Sequence, residues 1–228
     1  MEPALKSICE GSLHPNHIFL HLSTAAFGHD EGVSEVPEFV LKYPVKICWG
    51  ENHGPYRKLL PTLRKFWNKP DYMVVTCDDD WIYPSFWLER MVEAAELHTD
   101  KCICYAARRI AVGGDGKIRP YVEWENLRSS YGLTQADRVL ALGGHGVLYR
   151  PRFFNSEIFD VQKAFEVAQF CDDFWFSGQL CKRGVSVRVL ESCWEDFDHL
   201  ELDFPLWDDN KDRNNQYAIN AKRLFGFW

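Results

Sequence analysis

The sequence predicts an α/β fold: one domain over residues 1–228, with a mostly parallel central sheet flanked by helices. Three observations predict it. Strand and helix signals alternate along the chain, the pattern that places helices on both faces of a parallel sheet. The segment Tyr72–Cys77 (YMVVTC) is a continuous apolar, β-branched run, as in a central strand covered on both faces. With 228 residues, 46% hydrophobic and 26% charged, the chain is long and apolar enough for one sizeable core, which argues against disorder.

The elements follow in order. His17–Ser23 (HIFLHLS) is a short strand after the turn-forming Pro15-Asn16. Val45, Ile47 and Trp49 alternate with Lys46 and Cys48, the period of a half-buried strand. Gly54–Trp67 carries a helical stripe of Tyr56, Leu59, Leu60, Leu63 and Phe66; Pro61 interrupts it and predicts two short pieces, Pro61 opening the second. Tyr72–Cys77 runs into Asp78-Asp79-Asp80. After Pro84, Ser85 is placed to cap a helix with Leu88, Met91, Val92 and Ala95 on one face. Cys102–Ala107 predicts a strand, joined through the turn Gly113–Gly116 to an antiparallel arm over Ile118–Trp124. Gly143–Gly146 precedes a strand at Val147–Tyr149 that Pro151 stops. A helix begins near Asp173 and ends at Gly184, just after Lys182 and Arg183. Val185–Leu190 is a last strand, and Asn210–Leu224 is polar and weakly helical.

The net charge of −7, without a long basic run, points away from a nucleic-acid surface. The first ten residues have neither the basic nor the apolar part of a secretory leader. No run approaches the roughly 18 apolar residues of a membrane span. The eight cysteines, Cys193 among them, contain no C-x-x-C pair and read as reduced, packed thiols, placing the chain in the cytoplasm. Nine Trp, nine Tyr and sixteen Phe exceed what a core of this size needs; each serves either the core or a sugar or base stacked on it, and composition does not separate the two.

Three constellations carry chemistry. An apolar strand that ends in Asp78-Asp79-Asp80 brings carboxylates to a strand's carboxyl end, where ligands gather in open α/β sheets. Alternation turns Asp78 and Asp80 to one side, and two hard carboxylates suit Mn²⁺ or Mg²⁺ with a diphosphate; a solvated turn is the plainer alternative. Asp172-Asp173 at a helix start serves either as an N-terminal cap or as the general base for an attacking hydroxyl. Gly143-Gly144-His145-Gly146 lets backbone approach a ligand, or simply makes a turn.

The order of segments is more specific than any one of them. H-G-P-Y-R-K-L-L-P (His53–Pro61), Y-M-V-V-T-C-D-D-D-W-I-Y-P (Tyr72–Pro84), Y-V-E-W (Tyr121–Trp124), G-G-H-G-V-L-Y-R-P (Gly143–Pro151) and C-D-D-F-W-F (Cys171–Phe176) together resemble bacterial A-type glycosyltransferases related to family 2, of the kind that build capsule and lipopolysaccharide glycans. The resemblance implies the A-type nucleotide-diphospho-sugar transferase fold and a metal-dependent transfer from a nucleotide sugar to a glycan or lipid-linked saccharide, with inversion. UDP is the nucleotide it favours, being common in the family, and the motifs do not exclude dTDP, GDP or CMP donors. Asp78 and Asp80 match the family's D-x-D, which holds the Mn²⁺ or Mg²⁺ ion, with His199 completing its shell; Asp79 falls beside the donor ribose or sugar. Asp173 matches the catalytic base, with Asp172 positioning a substrate. Arg57 and Lys58 match basic positions facing the diphosphate. Gly144, His145 and Gly146 match the loop bordering donor sugar and acceptor, and Trp124 and Trp175 serve either acceptor stacking or the core.

The chain departs from the family at its start: the strand that usually precedes Ala4–Cys9, and helps hold the base, is missing from the sequence. That keeps a non-catalytic sugar- or nucleotide-binding relative as the alternative. A nucleotidyltransferase is the third reading, weakened by the lack of a glycine- and lysine-rich loop. A lipid-linked acceptor would bring the protein to the inner membrane as a peripheral partner, although no amphipathic basic helix requires it.

Overall fold

The computed structural model describes residues 1–228 except 135–136, 192–193, 201–209, 211 and 227. Its first elements are α1 (Glu2–Cys9), β1 (Ile18–Leu22) and β2 (Val45–Trp49), the two strands pairing in parallel from Ile18↔Val45 to Leu22↔Trp49. A 3₁₀ turn over Gly54–Lys58 leads into α2 (Leu60–Lys65), with Pro61 in its first turn, where a missing N–H costs nothing. Next come β3 (Val74–Thr76), β4 (Trp81–Ile82), α3 (Trp87–Leu97) and β5 (Cys102–Cys104). The arm consists of β6 (Ala107–Arg109), β7 (Glu125–Leu127) and β8 (Val139–Ala141). The chain continues through β9 (Val147–Tyr149), α4 (Val161–Ala168), α5 (Asp172–Lys182), β10 (Val187–Val189), β11 (Asp198–His199) and α6 (Asn214–Phe225).

The fold is mixed α/β with several small sheets, and the expectation of a mostly parallel sheet needs correction. The four-stranded sheet runs β10-β5-β9-β3; β10 and β5 are parallel, whereas β9 is antiparallel to both β5 and β3. The arm explains the reversal. It leaves from the end of β5 and returns to that same end, so the chain re-enters the sheet running backwards. The strand expected over Cys102–Ala107 is accordingly broken, β5 staying in the main sheet and β6 pairing with β7 and β8. The arm's turn closes on a Val112↔Ile118 bridge.

Strand β3 is covered on both faces, as its apolar run predicts, but it ends the order of its sheet instead of lying within it. Alternate residues divide two cores. Val74, Cys102, Cys104, Val147 and Tyr149 face one core with α2, α4, α5 and the arm. Met73, Val75, Ile103 and Leu148 face the other with α1 and α3. Among the described residues no strand joins the β1–β2 pair to the larger sheet.

Helix α3 starts at Trp87, with Phe86 at its cap and no side-chain capping bond, so Ser85 does not cap it. The Trp87 N–H is satisfied by the Pro84 carbonyl, and the Ser85 carbonyl is taken by Ser12. Helix α5 ends as expected. Gly184 adopts φ +69°, its N–H bonding the Cys181 carbonyl while the Val185 N–H bonds that of Leu180, a Schellman stop. Phe174, Trp175 and Phe176 on α5 are all buried, so the helix is wrapped on every side. At about 1.5–3 kcal/mol for each buried side chain of this size, that run anchors the N-terminus of α5 firmly. Cys193 lies outside the described residues. No described helix is long and apolar enough to cross a membrane.

Candidate active site

Strand β3 delivers the chain to Asp78, which turns through Asp79 and Asp80 into β4. Tyr83 pins this turn. Its buried hydroxyl accepts from the Asp78 N–H at 2.8 Å and lies 3.0 Å from the carbonyl oxygens of Asp78 and Gly144, either of which takes its proton. Strand β11 pairs with β4, His199 opposite Trp81, and the Leu200 N–H donates to the Asp80 carbonyl at 2.7 Å. That register places His199 Nε2 3.3 Å from Asp80 Oδ2. Asp80 Oδ1 is buried without a hydrogen-bond partner among the described residues. Burial, and then the charges of Asp78 and Asp79, raise the Asp80 carboxyl above its ordinary range. Asp79 is exposed.

The second acidic pair stands at the start of α5, where free backbone N–H groups and the helix dipole favour negative charge. The Asp172 side chain is 5% exposed. Asp173 Oδ1 accepts the Gly143 N–H at 3.0 Å. Lys58 joins the two motifs, its Nζ lying 2.8 Å from Asp78 Oδ1 and 3.3 Å from Asp172 Oδ1. Burial opposes the lysine's charge, but Asp172, Asp78 and Asp173 outweigh it and hold Lys58 well above its ordinary pKa. Burial followed by the Asp172 charge pushes Asp173 well up. Burial also raises Asp172, and Lys58 restrains that rise.

The glycine loop has an internal reason for its composition. A Cβ at Gly143 would lie 2.6 Å from Lys58 Nζ and 3.2 Å from Asp173 Oδ1. At Gly144 it would lie 2.9 Å from Trp81 Nε1, and at Gly146, where φ is +98°, 2.6 Å from Trp87 Cζ2. The expected close approach is therefore made by the protein's own side chains. His145 is buried against Trp81 and Phe197, at ring distances of 4.3 and 4.8 Å. Burial pushes its pKa down to about 4, so the imidazole is neutral near pH 7.

Arg57 does not join this group. It pairs with Asp30 at 2.6 Å, and Asp30 also accepts from Asn52 at 3.2 Å. Arg57 lines a cleft of about 370 Å³ at the carboxyl ends of β1 and β2, together with His21, Trp49, His53 and Arg64. Trp124 and Trp175 belong to the core: they are 3% and 0% exposed, and their indole N–H groups bond the Arg119 and Ile158 carbonyls.

Among the described residues no three His, Cys, Asp or Glu side chains are grouped as a set that could hold a metal ion. Asp78 is turned to Lys58 and Asp80 to His199. The donor types still suit a hard divalent cation: two carboxylates and an imidazole, one carboxylate oxygen being buried and unbonded.

Comparison with protein-family models gives no match, and comparison with curated proteins gives none either. The candidate site thus stands on geometry. It includes residues that the sequence does not single out, Trp81, Tyr83 and Phe197, and it gives Gly143 of the expected glycine loop the particular role of holding Asp173. Trp81, Tyr83 and Gly143 fall inside the quoted motifs, but an aromatic or glycine type alone says nothing of which carboxylate or loop it will meet.

Proposed function

We propose that this chain is a metal-dependent glycosyltransferase of the A-type fold, moving a sugar from a UDP-sugar to a hydroxyl of a glycan or lipid-linked saccharide with inversion at the anomeric carbon. The observation that carries this reading is that Lys58 joins the two acidic motifs, contacting Asp78 of one and Asp172 of the other, with the Asp80–His199 pair two residues along the first and Asp173 next along the second. A leaving diphosphate and an acceptor proton need two such groups side by side.

In this reading Asp78, Asp80 and His199 would hold Mn²⁺ or Mg²⁺, which would supply positive charge to offset that of the leaving diphosphate. Lys58 offers the same face a second positive charge. The cleft beside Arg57 takes the nucleoside, with Trp49, 48% exposed, presenting an indole face to the base. The acceptor oxygen bonds the anomeric carbon as the bond from that carbon to the phosphate oxygen breaks. Asp173 receives the acceptor's proton, and the electron pair leaves with the nucleoside diphosphate. Burial makes the ionised Asp173 a stronger base than an exposed aspartate. The Gly143 N–H orients Asp173, and Lys58 orients Asp172. A lipid-linked acceptor would bring this site to the inner membrane surface from the cytoplasm.

A non-catalytic binding relative is the second reading, favoured by the fact that Lys58 already pairs with Asp78 and Asp172. Calorimetric titration with UDP, GDP and dTDP, with and without Mn²⁺, beside an Asp80→Asn variant, tests the donor site. UDP binding that needs Mn²⁺ and weakens at least about tenfold in the variant is expected if one carboxylate ligand is lost. Absence of binding to all three nucleotides overturns the donor site. Release of nucleoside diphosphate on turnover then separates transfer from binding alone, and release of pyrophosphate would indicate nucleotidyl transfer.

A further inference from the structure

Trp81 sits where the two halves of the candidate site meet. Its indole packs on His199, ring centroids 4.7 Å apart, and His199 is the residue paired with Asp80. On another side it packs on His145 at 4.3 Å. Its Nε1 edge lies on the backbone of Gly144, close enough that a Cβ there would come within 2.9 Å. The preceding residue of that loop, Gly143, holds Asp173. The indole therefore bridges from the Asp80–His199 end to the Asp173 end.

The other tryptophans around the site are spent on the core. Trp87, Trp124 and Trp175 are each under 5% exposed and donate their N–H to the backbone carbonyls of His145, Arg119 and Ile158. Trp81 is half-buried, and its N–H makes no hydrogen bond among the described residues. A partly open indole with an uncommitted donor presents an apolar face and a polar edge together. A pyranose matches that combination, since its ring carries C–H patches beside hydroxyl groups.

We infer that Trp81 is the platform on which the transferred sugar lies, and a determinant of which sugar the site accepts. This rests on the glycosyltransferase reading. In an in-line displacement the sugar lies between the leaving diphosphate and the acceptor oxygen, hence between the Asp78, Asp80 and His199 end and Asp173. Among the described residues Trp81 is a half-buried aromatic side chain that spans that interval. Gly144 belongs to the same device, because a side chain there would push the indole off the loop.

The test compares UDP with UDP-glucose, UDP-galactose and UDP-N-acetylglucosamine by calorimetry in the presence of Mn²⁺, for the wild-type chain and for Trp81→Ala, Trp81→Phe and Gly144→Ala. Thermal melts confirm that each variant is folded; Trp81→Phe keeps most of the packing should Trp81→Ala fail. The sugar nucleotide that the wild type prefers is expected to bind Trp81→Ala roughly tenfold more weakly, with Trp81→Phe between, while UDP binds all the chains within about twofold. The preference among the three sugars is expected to flatten in the same variants. Equal losses of UDP and sugar nucleotide, or no loss of either, overturn the platform while leaving the glycosyltransferase reading intact. A wild-type chain that binds neither UDP nor any UDP-sugar overturns that reading, and the platform with it.

Discussion

The turn Asp78–Asp80 and the helix start Asp172–Asp173 are built from the same residue type in different backbones. On the turn, neighbouring carboxylates diverge: Asp78 goes to Lys58, Asp79 to solvent and Asp80 to His199. At the helix start, two consecutive carboxylates are driven inward together by the buried run Phe174–Phe176 behind them. Their charge is met by free N–H groups at the end of the helix, by the Gly143 N–H and by one lysine. Backbone geometry divides the labour. The turn sends its three carboxylates to three different surroundings and raises the proton affinity of Asp80, whereas the helix start holds buried Asp172 and half-buried Asp173 together and raises both.

The sharpest way to break this division is Asp173→Asn. If the helix pair holds the base, transfer falls about 10²- to 10⁴-fold while nucleotide affinity hardly changes. On that reading the wild-type rate is expected to rise with pH as Asp173 loses its proton, along a limb above the ordinary carboxylate range because burial and Asp172 raise the group. The limb disappears in the variant. Near-normal turnover by Asp173→Asn would move the base elsewhere.

Lys58→Met probes stability. It leaves Asp172 and Asp78 without their shared cation, so urea unfolding near pH 7 is expected to lose about 3–5 kcal/mol, much of it recovered by adding Asp172→Asn. The penalty should shrink as pH falls, since protonated carboxyl groups need no cation. Asp172 and Asp173 bind protons more tightly folded than unfolded, so their contribution to stability falls as pH rises from the ordinary carboxylate range through their raised values. A loss under about 1 kcal/mol would show that the lysine is not what holds the buried pair.

Asp79→Asn is the smallest expected effect and sharpens the contrast within the turn. An exposed carboxylate should change unfolding free energy by no more than about 0.5 kcal/mol. Donor affinity, measured by calorimetry, should change by at most about 1.5 kcal/mol, one hydrogen bond's worth. A larger loss of stability would mean that the turn shares charge as tightly as the helix does.

Much of this could be read along the chain. Pro61 opens α2, Gly184 closes α5, and the apolar runs at Ile18–Leu22, Val45–Trp49 and Val147–Tyr149 are strands. These depend on φ restrictions and on side-chain periodicity, which act over a few residues. The reversed direction of β9, the place of β3 at the end of its sheet and the start of α3 two residues past Ser85 were not legible, because each depends on which distant backbone group takes a hydrogen bond.

The candidate site divides along the same line. By itself the sequence determined where carboxylates would be dense and that one group follows a strand while the other opens a helix, since both facts are local. Only the tertiary structure decided that Lys58 stands between them, that Arg57 turns away to Asp30, and that Trp81 packs between His145 and His199 while Trp124 and Trp175 enter the core. Charges and rings choose partners by distance in the folded chain. That distance is set by the crossing of β3, β9 and the α5 N-terminus, which no short window of sequence contains.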